Sequence, residues 1–187
     1  MKVYITRHGQ DDDTVRGGWS DSTLTELGVK QVEKLGIELL SNIDYYNIGK
    51  IYSSDLLRAK QTAEIILSKI NPDIIQFERA LREVNNGDLA GMKNEMADIK
   101  YPNLYWRSLD WNQKYPNGES PSEFYNRIYN YFSDFIEENK NYGKNILIIS
   151  HAGVINVIRS IVHNETYSNK NKYPSIPCCS MEFFIEV

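Results

Sequence analysis

The chain has 187 residues, 41% of them hydrophobic and 25% charged, with a net charge of −4 and a pI near 5.4. That length suits one domain with its own core, that balance excludes a disordered chain, and the acidic total excludes a general electrostatic surface for nucleic acid or anionic membranes. Any anion must therefore be held by a local cluster of cations.

The opening apolar run, Val3-Tyr4-Ile5, is too short for a secretory leader, and no segment approaches the roughly 20 apolar residues of a membrane span. The two cysteines, Cys178 and Cys179, are adjacent, which suits neither a disulfide framework nor zinc spacing. The expectation is a cytoplasmic protein that works without a metal or cofactor.

In chain order, Lys2–Thr6 reads as a short strand of β-formers that ends in a polar turn. Residues 9–22 form a polar loop with Gly17 and Gly18. A helix follows, with Thr23 and Glu26 at capping-box spacing and Leu24, Leu27, Val32, Leu35 and Leu39 close to one face. Lys50–Ser53 is a second strand, and Asp55–Ile70 a second helix on Ala59, Ala63, Ile66 and Ile70, stopped by Asn71-Pro72. Asp73–Phe77 reads as a strand and residues 79–92 as a loop. Residues 93–118 are irregular and rich in Tyr and Trp, a candidate lid inserted into a single domain spanning 1–187. Their rings either pack that lid onto the body or shape a pocket for an organic leaving group.

Ser120-Pro121-Ser122-Glu123 then starts a long helix, with an N-cap, a proline at the first helical position and a capping-box glutamate. Asn145–Ser150 is continuously apolar, as expected of a central strand covered on both faces. His151-Ala152-Gly153 turns into a helix over about Val154–Val162, and Met181–Val187 is a last strand. Strands that alternate with helices predict a three-layer α/β/α sandwich around a mostly parallel sheet.

Ligands of such sheets bind at the C-terminal ends of strands. Three polar motifs fall there: Arg7-His8-Gly9, Ser53-Ser54-Asp55-Leu56-Leu57-Arg58 and Ser150-His151-Ala152-Gly153. If the strands are parallel neighbours, Arg7, His8, Arg58 and His151 converge. Two guanidiniums suit a tetrahedral oxyanion, helix N-termini add amides, and a neutral imidazole among them can act as a nucleophile. A second imidazole, if protonated, stabilises a transferring phosphoryl group. Glu83, in Leu81-Arg82-Glu83-Val84, is a candidate proton donor, with Asp88 as the alternative. His163 matches no motif and reads as structural, and Gly28 with Gly36 suits close helix packing.

These motifs carry a resemblance. Thr6-Arg7-His8-Gly9, the run Ser53–Ala63, Leu81-Arg82-Glu83 with Asn86-Gly87-Asp88-Leu89-Ala90-Gly91, and Ser150-His151-Ala152-Gly153-Val154 together resemble the histidine phosphatase superfamily, which also holds the cofactor-dependent phosphoglycerate mutases. The resemblance spans about residues 1–160.

It implies that His8 becomes phosphohistidine, that Arg7, Arg58 and His151 clamp the phosphate, and that Glu83 is the acid and then the base. It also implies substrate contacts at Gln10, Thr14, Gly18, Arg82 and Ala152, no metal, and a small phosphate ester as the partner. Arg82 is open between a phosphate contact and a loop brace.

The chain departs from the family pattern at Gln10, Asp11 and Thr14. Its acidic run Asp11-Asp12-Asp13 is expected at the pocket mouth, clear of the cluster, where it repels highly anionic substrates. A short insertion and an acidic mouth favour a phosphomonoesterase. A phosphomutase and a non-catalytic phospho-ligand binder on the same scaffold are the alternatives.

Overall fold

A computed structural model describes all residues 1–187. Five strands form one sheet: β1 (Lys2–Arg7), β2 (Ile48–Ser54), β3 (Ile74–Glu78), β4 (Asn145–Ser150) and β5 (Met181–Glu186). Their spatial order is β3-β2-β4-β1-β5. All neighbours are parallel except β1 and β5, which are antiparallel.

The apolar run predicted as a central strand is β4, with β1 on one side and β2 on the other. Its alternating side chains split between two cores. Ile146 and Ile148 face a cluster containing Val3, Ile5, Phe124, Ile128 and Ile158. Leu147 and Ile149 face one containing Tyr4, Val32, Leu35, Ile51 and Ala63. Helices α1 (Glu26–Ser41) and α3 (Leu57–Leu67) therefore cover one face, and α5 (Pro121–Asn139) and α6 (Ala152–Val162) the other. This is the predicted three-layer arrangement. No helix is long and apolar enough to cross a membrane.

Local signals held unevenly. The capping box at Ser120 and Glu123 forms as read, with Ser120 Oγ accepting from Glu123 N–H at 3.2 Å. The first helix instead takes Thr25 as its N-cap, its hydroxyl accepting from Gly28 N–H at 3.0 Å. The segment with Thr23 and Leu24 is drawn off by the neighbouring loop, through a bridge from Leu24 to Asp11 and a bond from Leu24 N–H to the Gln61 side chain. Leu27, assigned to the apolar face, is exposed.

Two short helices were not anticipated: α2 (Ile43–Tyr46) and α4 (Asn94–Lys100), the latter inside the stretch read as irregular. The aromatic stretch packs on the body, with Leu109 and Tyr115 buried against Leu89 and Trp106 edge-on to Phe124. Gly28 serves close packing, because a Cβ there would lie 2.1 Å from the Gln10 carbonyl oxygen.

Candidate active site

The sheet order brings the motifs together. Arg7 pairs with Ser150 across β1 and β4, and Ser53 with Ile149 across β2 and β4. Residues that leave these three strands at their C-terminal ends therefore share one rim. His8 N–H extends the ladder to Ser150 O at 3.0 Å, so its side chain is placed from the end of β1.

The rings of His8 and His151 lie 4.9 Å apart, and Arg58, from the first turn of α3, donates through Nε to His8 Nε2 at 3.3 Å. His8 and Arg58 are nearly fully buried at 3% and 2% exposure, and His151 is completely so. Arg7 donates to the Ile176 carbonyl.

Hydrogen bonds assign the His8 proton. His8 Nδ1 lies 2.7 Å from the carbonyl of Gly9, which can only accept, so the proton sits on Nδ1 and the lone pair on Nε2 faces Arg58. His151 Nε2 lies 2.8 Å from Ser54 Oγ, which already accepts from Leu56 N–H at 3.3 Å. Ser54 Oγ can donate its proton to Nε2, and the His151 tautomer that matches an incoming oxyanion is then the one with its proton on Nδ1. That Nδ1 and Arg7 Nε are buried without a partner. Two buried nitrogens without protein partners in one cluster suit an arriving oxyanion.

Burial, followed by the Arg58 charge, pushes the His8 pKa down to about 3 and holds that of His151 well below the ordinary value. Both imidazoles are thus neutral before an anion arrives, where the sequence reading considered a protonated second histidine. Burial also lowers the pKa of Arg58, against the raising influence of Asp11 and Glu83. An arginine remains charged nonetheless.

Glu83 is carried by the loop after β3, and its carboxylate accepts from Val84 N–H and from Gly153 N–H, both at 3.1 Å. Gly153 has no room for a side chain, since a Cβ would sit 2.2 Å from Glu83 Oε1. Asp88, the alternative donor, is exposed and bonded to Tyr101 and Asn117 on the inserted stretch.

Gly18, at φ +60°, gives its carbonyl to Arg58 Nη2 at 2.8 Å. Ala152 opens α6 beside His151. The Gln10 backbone is tied to Gln31 and Thr25. Thr14 is exposed and bonds Asp12. Arg82 forms a two-pronged pair with Asp55 at 2.5 and 2.7 Å and lies over Trp19, which makes it a brace of the loop.

One expectation is corrected. Asp11 does touch the cluster, with its carboxylate 3.4 Å from Arg58 Nε, while Asp12 and Asp13 are exposed. The bridge between Asp11 and Leu24 turns the loop inward at that residue. Burial raises the Asp11 pKa in spite of the cation beside it.

Three supporting residues were missed. Ser54 orients His151, and Thr62 accepts from Gly9 N–H while donating to Arg58 O. Arg127 of α5 donates to the carbonyls of Ala80, Arg82 and Glu83 and pairs with Glu119. Ser54 and Thr62 lie inside the matched second motif and could have been singled out there. Arg127 lies in no motif.

The model of the histidine phosphatase superfamily (branch 1) matches residues 3–184. A 2,3-bisphosphoglycerate-dependent phosphoglycerate mutase of Cytophaga hutchinsonii is 32% identical over 174 residues, covering 89% of this chain and 78% of that protein. The solved alpha-ribazole phosphatase of Shigella flexneri superposes with a TM-score of 0.76 at 26% identity, covering 89% of this chain and 81% of the other. A mycobacterial glucosyl-3-phosphoglycerate phosphatase shares the fold, with a TM-score of 0.78 at 24% identity and coverage of 96% and 88%. With its two histidines and two arginines gathered at one sheet rim and a family match over nearly its whole length, this chain belongs to the histidine phosphatase superfamily.

Proposed function

We propose that the protein is a metal-independent phosphomonoesterase that works through phosphohistidine on His8. The observation that carries this reading is a neutral, buried imidazole whose unprotonated Nε2 faces Arg58. In the first step Nε2 attacks phosphorus in line, the P–O bond to the alcohol breaks, and Glu83 gives its proton to the departing oxygen. In the second step water attacks the phosphohistidine, Glu83 takes a proton from it, and the N–P bond breaks to restore neutral His8 with inorganic phosphate. Arg7, Arg58 and the Nδ1 proton of His151 meet the phosphoryl oxygens, a preorganised set of donors that takes the place of a metal clamp.

Mutases of this superfamily are among the similar proteins, and the second reading is therefore phosphoryl exchange. Asp11 argues for hydrolysis, because its carboxylate lies against Arg58, where a second acidic group of a bisphosphate would be repelled. The test is release of inorganic phosphate from an aryl phosphate in the presence of EDTA. Steady release that falls at least ~10³-fold in His8→Ala is expected. Strong inhibition by EDTA reversed by a divalent metal, or full activity in His8→Ala, contradicts the scheme.

A further inference from the structure

We infer that the alcohol half of the substrate carries one uncharged polar ring, bound in the cleft beside Glu83; this rests on the phosphatase reading above. A cavity of about 330 Å³ has Glu83 and Gly153 in its wall. Glu83 bonds Gly153, two residues beyond His151, so the cleft adjoins the strand ends that carry the cluster, and an oxygen that takes the Glu83 proton has its carbon substituent next to the opening. The volume lies at the lower end of clefts that enclose an organic molecule, room for about one ring system.

The walls describe the occupant. Trp106 and Tyr173 are half-buried rings, and Phe124 closes the floor. Such surfaces pair with a flat heterocycle or with the C–H face of a sugar ring. The polar groups are mainly amides. Asn156, on α6, lines the cleft and has an Oδ1 that is buried without a hydrogen-bond partner, and Asn171 stands at the exposed rim. A turn of that amide toward the cleft gives the unmet oxygen an O–H or N–H donor from the ligand.

Charge excludes the compact acids. The single cation of the lining is Arg107, which is exposed. A carboxylate or second phosphate held in this cleft would have no buried cation of its own. An uncharged ring avoids this cost.

The test compares kcat/KM of the full chain for a hexose phosphate, a nucleoside 5′-monophosphate, glycerol 3-phosphate and 3-phosphoglycerate. The better ring ester should exceed both compact esters by at least ~10-fold, about what one buried hydrogen bond and one ring contact supply. Which ring ester wins distinguishes the sugar from the heterocycle. Asn156→Leu should cut that advantage several-fold, and Asn171→Ala, at the rim, should cut it less. A ratio near one, a preference for 3-phosphoglycerate, or an advantage untouched in both variants overturns the inference. If no ester is hydrolysed the phosphatase reading falls, and calorimetric affinities of the His8→Ala protein for the same four compounds then decide the ring preference by the same ratio.

Discussion

At the residue scale, the two buried histidines make stability depend on pH. The His8 pKa is lowered in the folded chain to about 3, from 6.5. Between those values the unfolded chain binds more protons than the folded one, so stability is complete above about pH 6.5 and is lost as pH falls toward 3. A shift of that size corresponds to about 5 kcal/mol in total, with about 2 kcal/mol gone by pH 5. Urea unfolding at pH 7.5 and pH 5 should show the wild type losing about 2 kcal/mol more than His8→Asn. Equal losses would mean that His8 does not sit as an uncharged, water-excluded ring. A second residue-scale test concerns Gly153. The Cβ of Gly153→Ala, 2.2 Å from Glu83 Oε1, must push the carboxylate aside. We expect kcat to fall at least ~10-fold, in line with the cost of misplacing a general acid, with the folded state retained. Unchanged kcat would remove Glu83 from proton transfer.

At the element scale, Arg127 ties α5 to the loop that carries Glu83. Its guanidinium spans the carbonyls of Ala80, Arg82 and Glu83, and Trp19 Nε1 donates to the same Glu83 carbonyl at 2.7 Å. Arg127→Met leaves Glu119 partly buried without its cation, which should cost about 3 kcal/mol in urea unfolding. It should also lower kcat more than it raises KM, because the loop positions the proposed acid rather than the phosphate. Arg127→Lys should rescue little, since an ammonium cannot fork among three carbonyls. A lysine variant with full activity and stability would reduce Arg127 to a surface cation.

The whole molecule explains which parts of this design were legible in the sequence. The layers were readable because β4 is apolar at consecutive positions and the flanking helices carry one apolar face each. The cluster was readable because His8, Arg58 and His151 each follow a strand end, and parallel neighbours bring such ends together. The pairing of Arg127 with Glu83 was not, since it joins positions 44 apart through packing of α5 on a loop. The same holds for Asp11, whose approach to Arg58 depends on a bridge to Leu24 that no local pattern signals. The start of α1 was misplaced for a similar reason, as Thr23 and Thr25 are both fair caps and tertiary contacts of Leu24 chose between them.

Because the cluster is assembled from distant strands, its ligand should stabilise the fold as a whole. Saturating vanadate, at about 100 times its Kd, should add about 2.7 kcal/mol to unfolding, read as a rise in Tm that Arg58→Ala abolishes. No rise would place the anion elsewhere.

The most direct measurement is rapid acid-free quenching of the enzyme with a radiolabelled phosphate ester, followed by peptide mapping. Label that is stable to base, lost in acid and confined to the peptide bearing His8 is the expected result. Turnover without such label, or label on any other residue, would contradict covalent transfer through His8.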